Sequence, residues 1–246
     1  HDEVYGGAGN DTMTIYTRQS DYFGGGGNDF ISSAGYWNFI KGGDGVDTIS
    51  YMAQDHSNLK GWGVDLDLGY GYARTGQGRR ETILKFENAE GTSYGDGMIG
   101  SKGANKLWGM DGSDEIWGMK GDDRLFGGDG KDFLYGGNGD DRLNGGKGTD
   151  YLEGGNGSDV FIFAKLGDMG KGSQADVIRD FEHRDTIDLS GVGDLFFVGK
   201  KDFSGTAGEL RFDNGVLQGD IDGNGKADFE IKVKDVNTLH DSDFLL

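Results

Sequence analysis

A nine-residue repeat constrains the fold of this chain more than any other feature of its sequence. From Gly91 to Ile162 the sequence divides into eight nonapeptides in one unbroken register, each beginning with glycine. Four of them follow the pattern Gly-Gly-x-Gly-x-Asp-x-U-x in full, where U is apolar, and these begin at Gly127, Gly136, Gly145 and Gly154. A short fixed period repeats one structural unit, and each unit buries its apolar position only by stacking on its neighbours. The pattern therefore predicts a solenoid.

A less regular array with the same period occupies the first fifty residues. Its full motifs begin at Gly6, Gly24 and Gly42, whereas the two nonapeptides between them have Ser20 and Asn38 where the pattern has aspartate. Two nonapeptides make one turn of a parallel β-roll, so alternate nonapeptides stack on one another. The first array is therefore expected to have one edge with metal ligands and one edge without them.

The residues before Gly6 match only the second half of a nonapeptide, with Asp2, Val4 and Tyr5 at positions six, eight and nine. We therefore expect the chain to be part of a longer protein, with a passenger domain upstream. The sequence itself divides into four segments: a first array over 1–50, an inserted segment over 51–90, a second array over 91–162, and a C-terminal cap and signal region over 163–246.

Each position of the pattern has a physical role in an all-β parallel β-roll that binds calcium. Glycine adopts positive φ without strain, which lets the loops turn backbone carbonyls inward, and calcium takes about six to eight oxygen ligands. The predicted ligands of the first array are Gly6, Gly9, Asp11, Gly24, Gly27, Asp29, Gly42, Gly45 and Asp47. Those of the second array are Asp96, Asn105, Asp114, Asp123, Gly127, Gly130, Asp132, Gly136, Gly139, Asp141, Gly145, Gly148, Asp150, Gly154, Gly157 and Asp159. Asn105 keeps an oxygen but loses the charge, so we expect weaker binding there.

The apolar positions and the charge balance suggest that metal binding and folding are one event. Position eight of the second array is always apolar and points inward: Met98, Leu107, Ile116, Leu125, Leu134, Leu143, Leu152 and Phe161. The formal charge is −19, which argues against nucleic acid or an anionic membrane surface as a partner. No apolar run is long enough to span a membrane. Without metal, adjacent rows of aspartates would repel one another, so folding should require calcium.

Outside the two arrays, the sequence predicts short strands. Within 51–90 the candidates are Val64–Leu68 and Thr82–Phe86, and we expect this segment to pack on the flank of the roll. After Ile162, four further candidates predict a small β cap on the last turn: Val177–Phe181, Thr186–Leu189, Glu209–Phe212 and Phe229–Val233. Solenoid ends need such caps because an open stack exposes its strand edges and its core.

A second candidate calcium site lies in this cap. Asp220, Asp222 and Asn224 have the spacing of the first ligands of an EF-hand loop, and Asp228 follows them. Ile231 stands where an EF-hand has its bidentate glutamate. The segment is therefore either a weaker calcium site or a polar turn between two strands.

Two sets of residues resemble known families. The nonapeptides resemble those of the repeats-in-toxin (RTX) family. The segments Ala175–Phe181, Asp185–Ser190, Gly208–Phe212 and Gly219–Ile231 are similar to the C-terminal domain shared by serralysin metalloproteases and alginate epimerases. The resemblance implies a calcium-bound parallel β-roll exported by type I secretion machinery, which recognises an uncleaved C-terminal signal ending in a motif similar to Asp243–Leu246.

No catalytic constellation is evident in the sequence. Serralysin proteases carry a zinc-binding His-Glu-x-x-His helix, but the four histidines of this chain, at 1, 56, 183 and 240, are far apart in sequence, so no zinc site is expected. Gly91–Gly95 matches the nucleophile-elbow pattern, yet such matches arise by chance in a chain with 50 glycines. We therefore expect no catalysis within this chain.

One outward-facing row of the second array is aromatic. Position nine has Trp108, Trp117, Phe126 and Tyr135 in succession. This position should face outward because it neighbours the inward position eight. The rings either support neighbouring rungs, or are covered by segment 51–90, or form a docking face for a missing domain, a partner or a glycan.

The leading hypothesis is a calcium-binding module that supports the export and stability of a larger secreted bacterial protein. Under this hypothesis the repeats stay unfolded at low cytosolic calcium, pass through the type I secretion machinery and fold outside the cell. One alternative is the C-terminal part of a secreted enzyme, a serralysin-like protease or a polysaccharide-modifying enzyme, with its catalytic domain upstream. The other is an extracellular adhesin or glycan-binding module.

Overall fold

The computed structural model describes residues 1–56 and 61–246 and shows a parallel β-roll. Its strands are β1 (Glu3–Ala8), β2 (Thr12–Ile15), β3 (Asp21–Gly26), β4 (Phe30–Ser33), β5 (Phe39–Asp44), β6 (Thr48–Ser50), β7 (Asp65–Asp67), β8 (Tyr72–Thr75), β9 (Arg79–Leu84), β10 (Asn88–Glu90), β11 (Gly97–Ile99), β12 (Lys106–Gly112), β13 (Glu115–Lys120), β14 (Arg124–Gly130), β15 (Phe133–Asn138), β16 (Arg142–Gly148), β17 (Tyr151–Asn156), β18 (Val160–Ile162), β19 (Asp176–Ile178), β20 (Thr186–Asp188), β21 (Phe196–Phe197), β22 (Glu209–Asp213), β23 (Val216–Asp220), β24 (Phe229–Val233) and β25 (Phe244–Leu245). Short 3-10 helices lie at Met52–His56, Gly76–Gly78, Leu166–Asp168, Gly172–Gln174 and Asp241–Asp243. None of the described helices is long or apolar enough to cross a membrane.

The strands form two sheets, and successive strands of the repeat arrays alternate between them. The first sheet has the order β1-β3-β5-β9-β8-β7-β11-β13-β15-β17-β19-β24-β23-β22-β21, and the second has the order β2-β4-β6-β10-β12-β14-β16-β18-β20-β25. Within the second array, Leu107 lies opposite Leu125 and Ile116 lies opposite Leu134, so the register advances by 18 residues. Two nonapeptides therefore make one turn, as the sequence predicted.

The core of the roll is a double row of apolar side chains from position eight. Leu107, Leu125 and Leu143 in the second sheet and Ile116 and Leu134 in the first sheet are fully buried. The two-residue period of a strand sends position eight inward and its neighbours outward. Burying one such side chain contributes about 1.5–3 kcal/mol. Each strand supplies a single inward side chain of this row, so the core is thin and the loop edges matter for stability.

Segment 51–90 does not lie on the flank of the roll, contrary to the expectation from the sequence. β9 pairs in parallel with β5, β7 pairs in parallel with β11, and β8 is antiparallel to both, so the three strands bridge the two arrays within the first sheet. β10 does the same in the second sheet and places Ala89 between Ile49 and Leu107. The physical reason is that an excursion on the flank would leave unpaired strand edges between the arrays.

The C-terminal region continues both sheets before it caps them. β19 extends the first sheet from β17, and β20 extends the second from β18. The antiparallel strands β22, β23 and β24 then lengthen the first sheet, and β25 adds to β20. The predicted cap strands are present, but the first two form one further turn of the roll.

Candidate calcium-binding edges

The acidic residues at position six stack into ladders along two edges of the roll. The backbone N–H of most of these residues donates to a side-chain oxygen one turn later, as from Asp114 to Asp132 Oδ1 (2.9 Å) and from Asp123 to Asp141 Oδ1 (2.7 Å). Edge A contains Asp96, Asp114, Asp132, Asp150 and Asp176. Edge B contains Asp11, Asp29, Asp47, Glu87, Asn105, Asp123, Asp141, Asp159 and Asp185.

The second carboxylate oxygen of most of these aspartates is buried and has no hydrogen-bond partner among the described residues. These Oδ2 atoms belong to Asp11, Asp29, Asp47, Asp114, Asp123, Asp132, Asp141, Asp150 and Asp159. A buried polar atom without a partner costs about 1–3 kcal/mol, and a charged one costs more. Its recurrence at the same position of successive repeats is typical of a ligand set and not of an isolated packing defect.

Glycine at position one leaves a space that most of these oxygens share with a backbone carbonyl. A Cβ atom on Gly127 would meet Oδ2 of Asp132 and lie 2.5 Å from the carbonyl oxygen of Gly145, one turn later. Gly130, at position four, has a φ of +151°, and a Cβ there would strike the carbonyl of Gly112. Carboxylate and carbonyl oxygens thus share a space from which side chains are excluded, and this all-oxygen donor set fits calcium.

A family model matches the same parts of the chain. The model of the RTX calcium-binding nonapeptide repeat matches residues 1–14, 23–55, 90–125, 99–134 and 126–161. These residues belong to the RTX calcium-binding repeat family. The two stretches of RTX repeats coincide with the two arrays that the sequence period defines.

Two of the solved structures that are similar to this chain are a subunit of an epimerase and a lipase. The AlgE6R3 subunit of the Azotobacter vinelandii mannuronan C5-epimerase is 25% identical, with a TM-score of 0.38 over 62% of this chain and 79% of that one. The extracellular lipase LipA of Serratia marcescens is 16% identical, with a TM-score of 0.28 over 97% of this chain and 38% of the lipase. No curated protein matches the chain.

Burial raises the pKa values of the aspartates in the RTX repeats. Loss of hydration raises the pKa of Asp114 to about 8, that of Asp123 to about 7 and that of Asp132 to about 6. The backbone N–H bound to Oδ1 opposes this shift, and neighbouring carboxylates add to it. The same causes raise the pKa of Asp141 to about 6, of Asp150 to about 7 and of Asp159 to about 7. The fold therefore disfavours the negative charge of both edges.

The first turn of the second RTX array differs from the others because its side chains already have partners. Both oxygens of Asp96 accept hydrogen bonds, Oδ1 from the N–H of Val64 (2.6 Å) and Oδ2 from that of Thr92 (2.7 Å). Oδ1 of Asn105 accepts from the N–H of Ser101 (2.6 Å). Weaker metal binding at Asn105 stays a prediction, and the hydrogen bonds to both oxygens of Asp96 predict weaker metal binding there too.

The first RTX array has a different arrangement on edge A, where Ser20 and Asn38 replace the aspartates. Glu81 of β9 is fully buried beside them. Its Oε1 accepts hydrogen bonds from Nδ2 of Asn38 (2.8 Å) and Oγ of Ser33 (3.0 Å), and its Oε2 accepts from the hydroxyl of Tyr51 (3.1 Å). A hydrogen-bonded network thus occupies the part of edge A that was predicted to lack metal ligands.

Three acidic residues of the edges were missed by the sequence analysis: Glu87, Asp176 and Asp185. Asp176 and Asp185 accept from ladder residues 26 positions earlier, where the RTX period is 18. All three keep the second half of the motif, an acidic residue with an apolar residue two positions later, but lack its glycines. A search for that half-motif before each strand would have found them.

The cap loop with EF-hand-like spacing brings its carboxylates together but also satisfies them. Oxygens of Asp220, Asp222 and Asp228 lie within 4.8 Å of one another. Asp220 accepts hydrogen bonds from the N–H groups of Asn224 (3.1 Å) and Gly225 (2.8 Å), and Asp222 accepts one from Nδ2 of Asn224 (2.8 Å). A polar turn accounts for these contacts, and calcium binding there stays a prediction.

The aromatic side chains at position nine stack in pairs one turn apart. The rings of Trp108 and Phe126 are 5.6 Å apart and those of Trp117 and Tyr135 are 3.8 Å apart, both nearly parallel. Segment 51–90 does not cover the second pair, since Trp117 is 38% exposed. Strands of that segment instead form the far side of a trough of about 330 Å³ beside Trp117, which Arg74 also lines.

Two histidines that are distant in sequence lie together at the C-terminal end of the roll. The ring centroids of His183 and His240 are 4.9 Å apart, and both rings approach Asp243. Sequence separation was therefore a poor guide to their grouping, because β20 and β25 pair side by side and bring the turns before them together.

Proposed function

We propose that this chain is the calcium-dependent folding module of a larger secreted bacterial protein. One observation carries the proposal: edges A and B hold rows of buried carboxylates whose Oδ2 atoms have no partner among the described residues. In this proposal the ions are held by those aspartates, together with the carbonyls of the glycines at positions one and four. Bound calcium would supply the positive charge that neutralises them.

The chain's own residues make its folding depend on the cation. The apolar core is thin, while the turns of the second array from Asp114 onward each bury two carboxylates whose pKa values burial raises, as for Asp114 and Asp123. In the unfolded chain the same carboxylates are hydrated, so folding without a cation has an electrostatic cost at neutral pH. Binding and folding are then linked, because any ion that binds only the folded roll stabilises it.

This linkage suits export of an unfolded chain by type I secretion machinery, followed by folding outside the cell. Extracellular calcium modules bind in the range of about 0.1–1 mM, which cytosolic calcium does not reach. The C-terminal residues that resemble a type I signal form β25 on the last turn of the second sheet. A passenger enzyme upstream is compatible with the proposal, since the module would then serve its export and stability.

The test is a calcium titration of the chelator-treated chain, followed by far-UV circular dichroism, with magnesium as the control. We expect a cooperative transition from coil to β structure at about 0.1–1 mM calcium and no transition with magnesium. A β spectrum in chelator that calcium leaves unchanged would contradict the proposal. Counting bound ions by equilibrium dialysis would then show whether the edges bind calcium at all.

A second candidate function, a docking face for a glycan, is favoured by the exposure of Trp117. Its ring, Arg74 and the exposed carboxylates of Asp65 and Glu115 line one trough, and aromatic planes beside polar groups suit sugar rings. Replacing Trp117 with serine should abolish glycan binding without changing the calcium midpoint. If the variant only loses stability and no glycan binding is ever observed, the ring serves only to stack on Tyr135.

A further inference from the structure

We propose that His183, His240 and Asp243 form a site for a transition-metal ion, best suited to Zn²⁺, that fastens the C-terminal strand to the roll. The inference does not depend on calcium binding at edges A and B. It rests on three potential ligands, two imidazoles and one carboxylate, that converge in space although they come from two separate turns.

The geometry is already close to that of a metal site. Nδ1 of His183 lies 3.2 Å from Oδ2 of Asp243, and Nδ1 of His240 lies 3.7 Å from the same oxygen. In a tetrahedral zinc site with bonds of about 2.0–2.1 Å, the ligand atoms are about 3.3 Å from one another. Small side-chain rotations would therefore place all three ligands at the corners of a tetrahedron.

The chemistry of the donor set separates this site from the calcium edges. Two imidazoles and one carboxylate suit zinc and related ions, whereas calcium prefers oxygen ligands alone. The carboxylate of Asp243 is 2% exposed and is held by the backbone N–H of His240, which donates to Oδ2 at 2.8 Å. The imidazoles are 55% and 59% exposed, so an ion can enter and water can take the fourth position.

A single ion pair accounts for only one of the two rings, and the His240 ring also accepts the backbone N–H of Asp243 in a capping box. One protonated imidazole, that of His183, would be enough to pair with Asp243. The second ring, that of His240, lies 4.9 Å from the first, and two protonated rings at that distance would repel each other. A divalent ion lets two neutral imidazoles and one carboxylate share the same space.

The position of the site gives it a structural consequence. His183 lies in the turn that precedes β20, and Asp243 directly precedes β25. β25 pairs with β20 through only two residues, Phe244 and Leu245. So short a strand pairing is weak by itself. A metal bridge between the two turns would therefore stabilise the pairing of β25 with β20.

The test is Zn²⁺ titration calorimetry, with Co²⁺ absorption as a spectroscopic probe of tetrahedral coordination, on the calcium-saturated chain. The titrations use a His1→Ala background, because His1, Glu3 and Asp21 form another cluster of ligand types. We expect one Zn²⁺ per chain at this site, visible d–d bands with Co²⁺ that Zn²⁺ abolishes, and slower hydrogen exchange of β25 when Zn²⁺ is bound.

Variants at the two histidines distinguish the metal site from a structural contact. His183→Asn and His240→Asn keep a polar side chain that can still donate to Asp243, but each should weaken Zn²⁺ binding by about tenfold or more. Their calcium-loaded circular dichroism spectra should be unchanged, which excludes misfolding as the cause. The proposal is overturned if the His1→Ala chain binds no Zn²⁺, or if both variants bind it as tightly as that chain does.

Discussion

The N–H of Asp132 donates to Oδ1 of Asp150, one turn further along edge A, at 3.0 Å, while Oδ2 of Asp132 is left without a partner among the described residues. Each carboxylate is thus divided into two functions. One oxygen joins consecutive turns, and the other faces the carbonyl-lined space beside the glycine at position one. Substitutions can separate these functions.

Asp132→Asn removes the charge of one ladder residue but keeps an oxygen that accepts the N–H of Asp114. We expect the calcium midpoint for folding to rise by roughly tenfold, equivalent to about 1.4 kcal/mol, because a charged ligand of edge A is lost. The measurement is the circular dichroism titration with calcium. Asp194→Asn, at an exposed position in the cap, makes the same charge change away from both edges and should leave the midpoint unchanged. Equal midpoints for Asp132→Asn and the native chain would remove Asp132 from the ligand set.

Gly127→Ala tests the close approach at position one. The added methyl group would meet Oδ2 of Asp132 and the carbonyl of Gly145, so we expect a loss of about 1–3 kcal/mol in the free energy of unfolding with calcium bound. Chemical denaturation measures it. Gly103→Ala is the matched control, because nothing lies within 4 Å of a Cβ at that position. If the two variants are equally stable, the carboxylate does not need the space that glycine leaves.

The regular part of this site could be predicted from the sequence because stacking forces identical contacts on every turn. The period alone predicted that Asp114 and Asp132 belong to one edge and that Leu107 packs beside Leu125, and the register confirms both. The hydrogen bond between consecutive turns needs only an acidic residue before a short strand. The glycines of the motif are needed only where the loop between two strands is short. Acidic residues in the longer loops, such as Asp176, therefore join the ladder without the pattern that reveals it.

The path of segment 51–90 could not be predicted from the sequence. Its strands are too short and too polar on one face to indicate which sheet they enter, and only the need to pair the open edges of β5 and β11 decides it. The insertion also delivers Glu81 and Glu87 to the position-six level of edges A and B, where they contact Asn38 and Asp47. No local pattern encodes a contact that depends on the path of the whole insertion.

Protons and calcium should compete for the same carboxylates. Burial raises the pKa of Asp132 to about 6 and that of Asp114 to about 8 in the metal-free fold, above the ordinary aspartate value of about 3.9. A raised pKa means that the folded chain binds protons more tightly than the unfolded chain does. This contribution to stability is complete below the unfolded value and is lost as pH rises through the folded values.

In chelator, β structure should therefore increase as pH is lowered from about 8 to about 5. The calcium needed for the coil-to-β transition should not rise over the same range, because these carboxylates are already deprotonated in the unfolded chain and protonation stabilises the metal-free fold. Circular dichroism at a series of pH values measures both. A β content in chelator that is independent of pH from about 5 to about 8 would show that burial does not raise the pKa values of the edge carboxylates.

Glu81→Gln tests the buried carboxylate of the hydrogen-bonded network in the first array. This network occupies the part of edge A where the sequence predicts no metal ligand. Burial raises the pKa of Glu81, so the native chain loses stability as pH rises through that pKa, while a neutral glutamine does not titrate. The glutamine oxygen can still accept from Asn38 and Ser33. We expect the calcium-loaded variant to match the native melting temperature at acid pH and to exceed it at alkaline pH, in thermal melts across the pH range.

The control variant is Glu115→Gln, at an exposed glutamate of the same sheet, which should show no such divergence in melting temperature. A native chain that gains stability relative to Glu81→Gln with rising pH would mean that the network stabilises the charged carboxylate, and that burial is not the dominant influence on it.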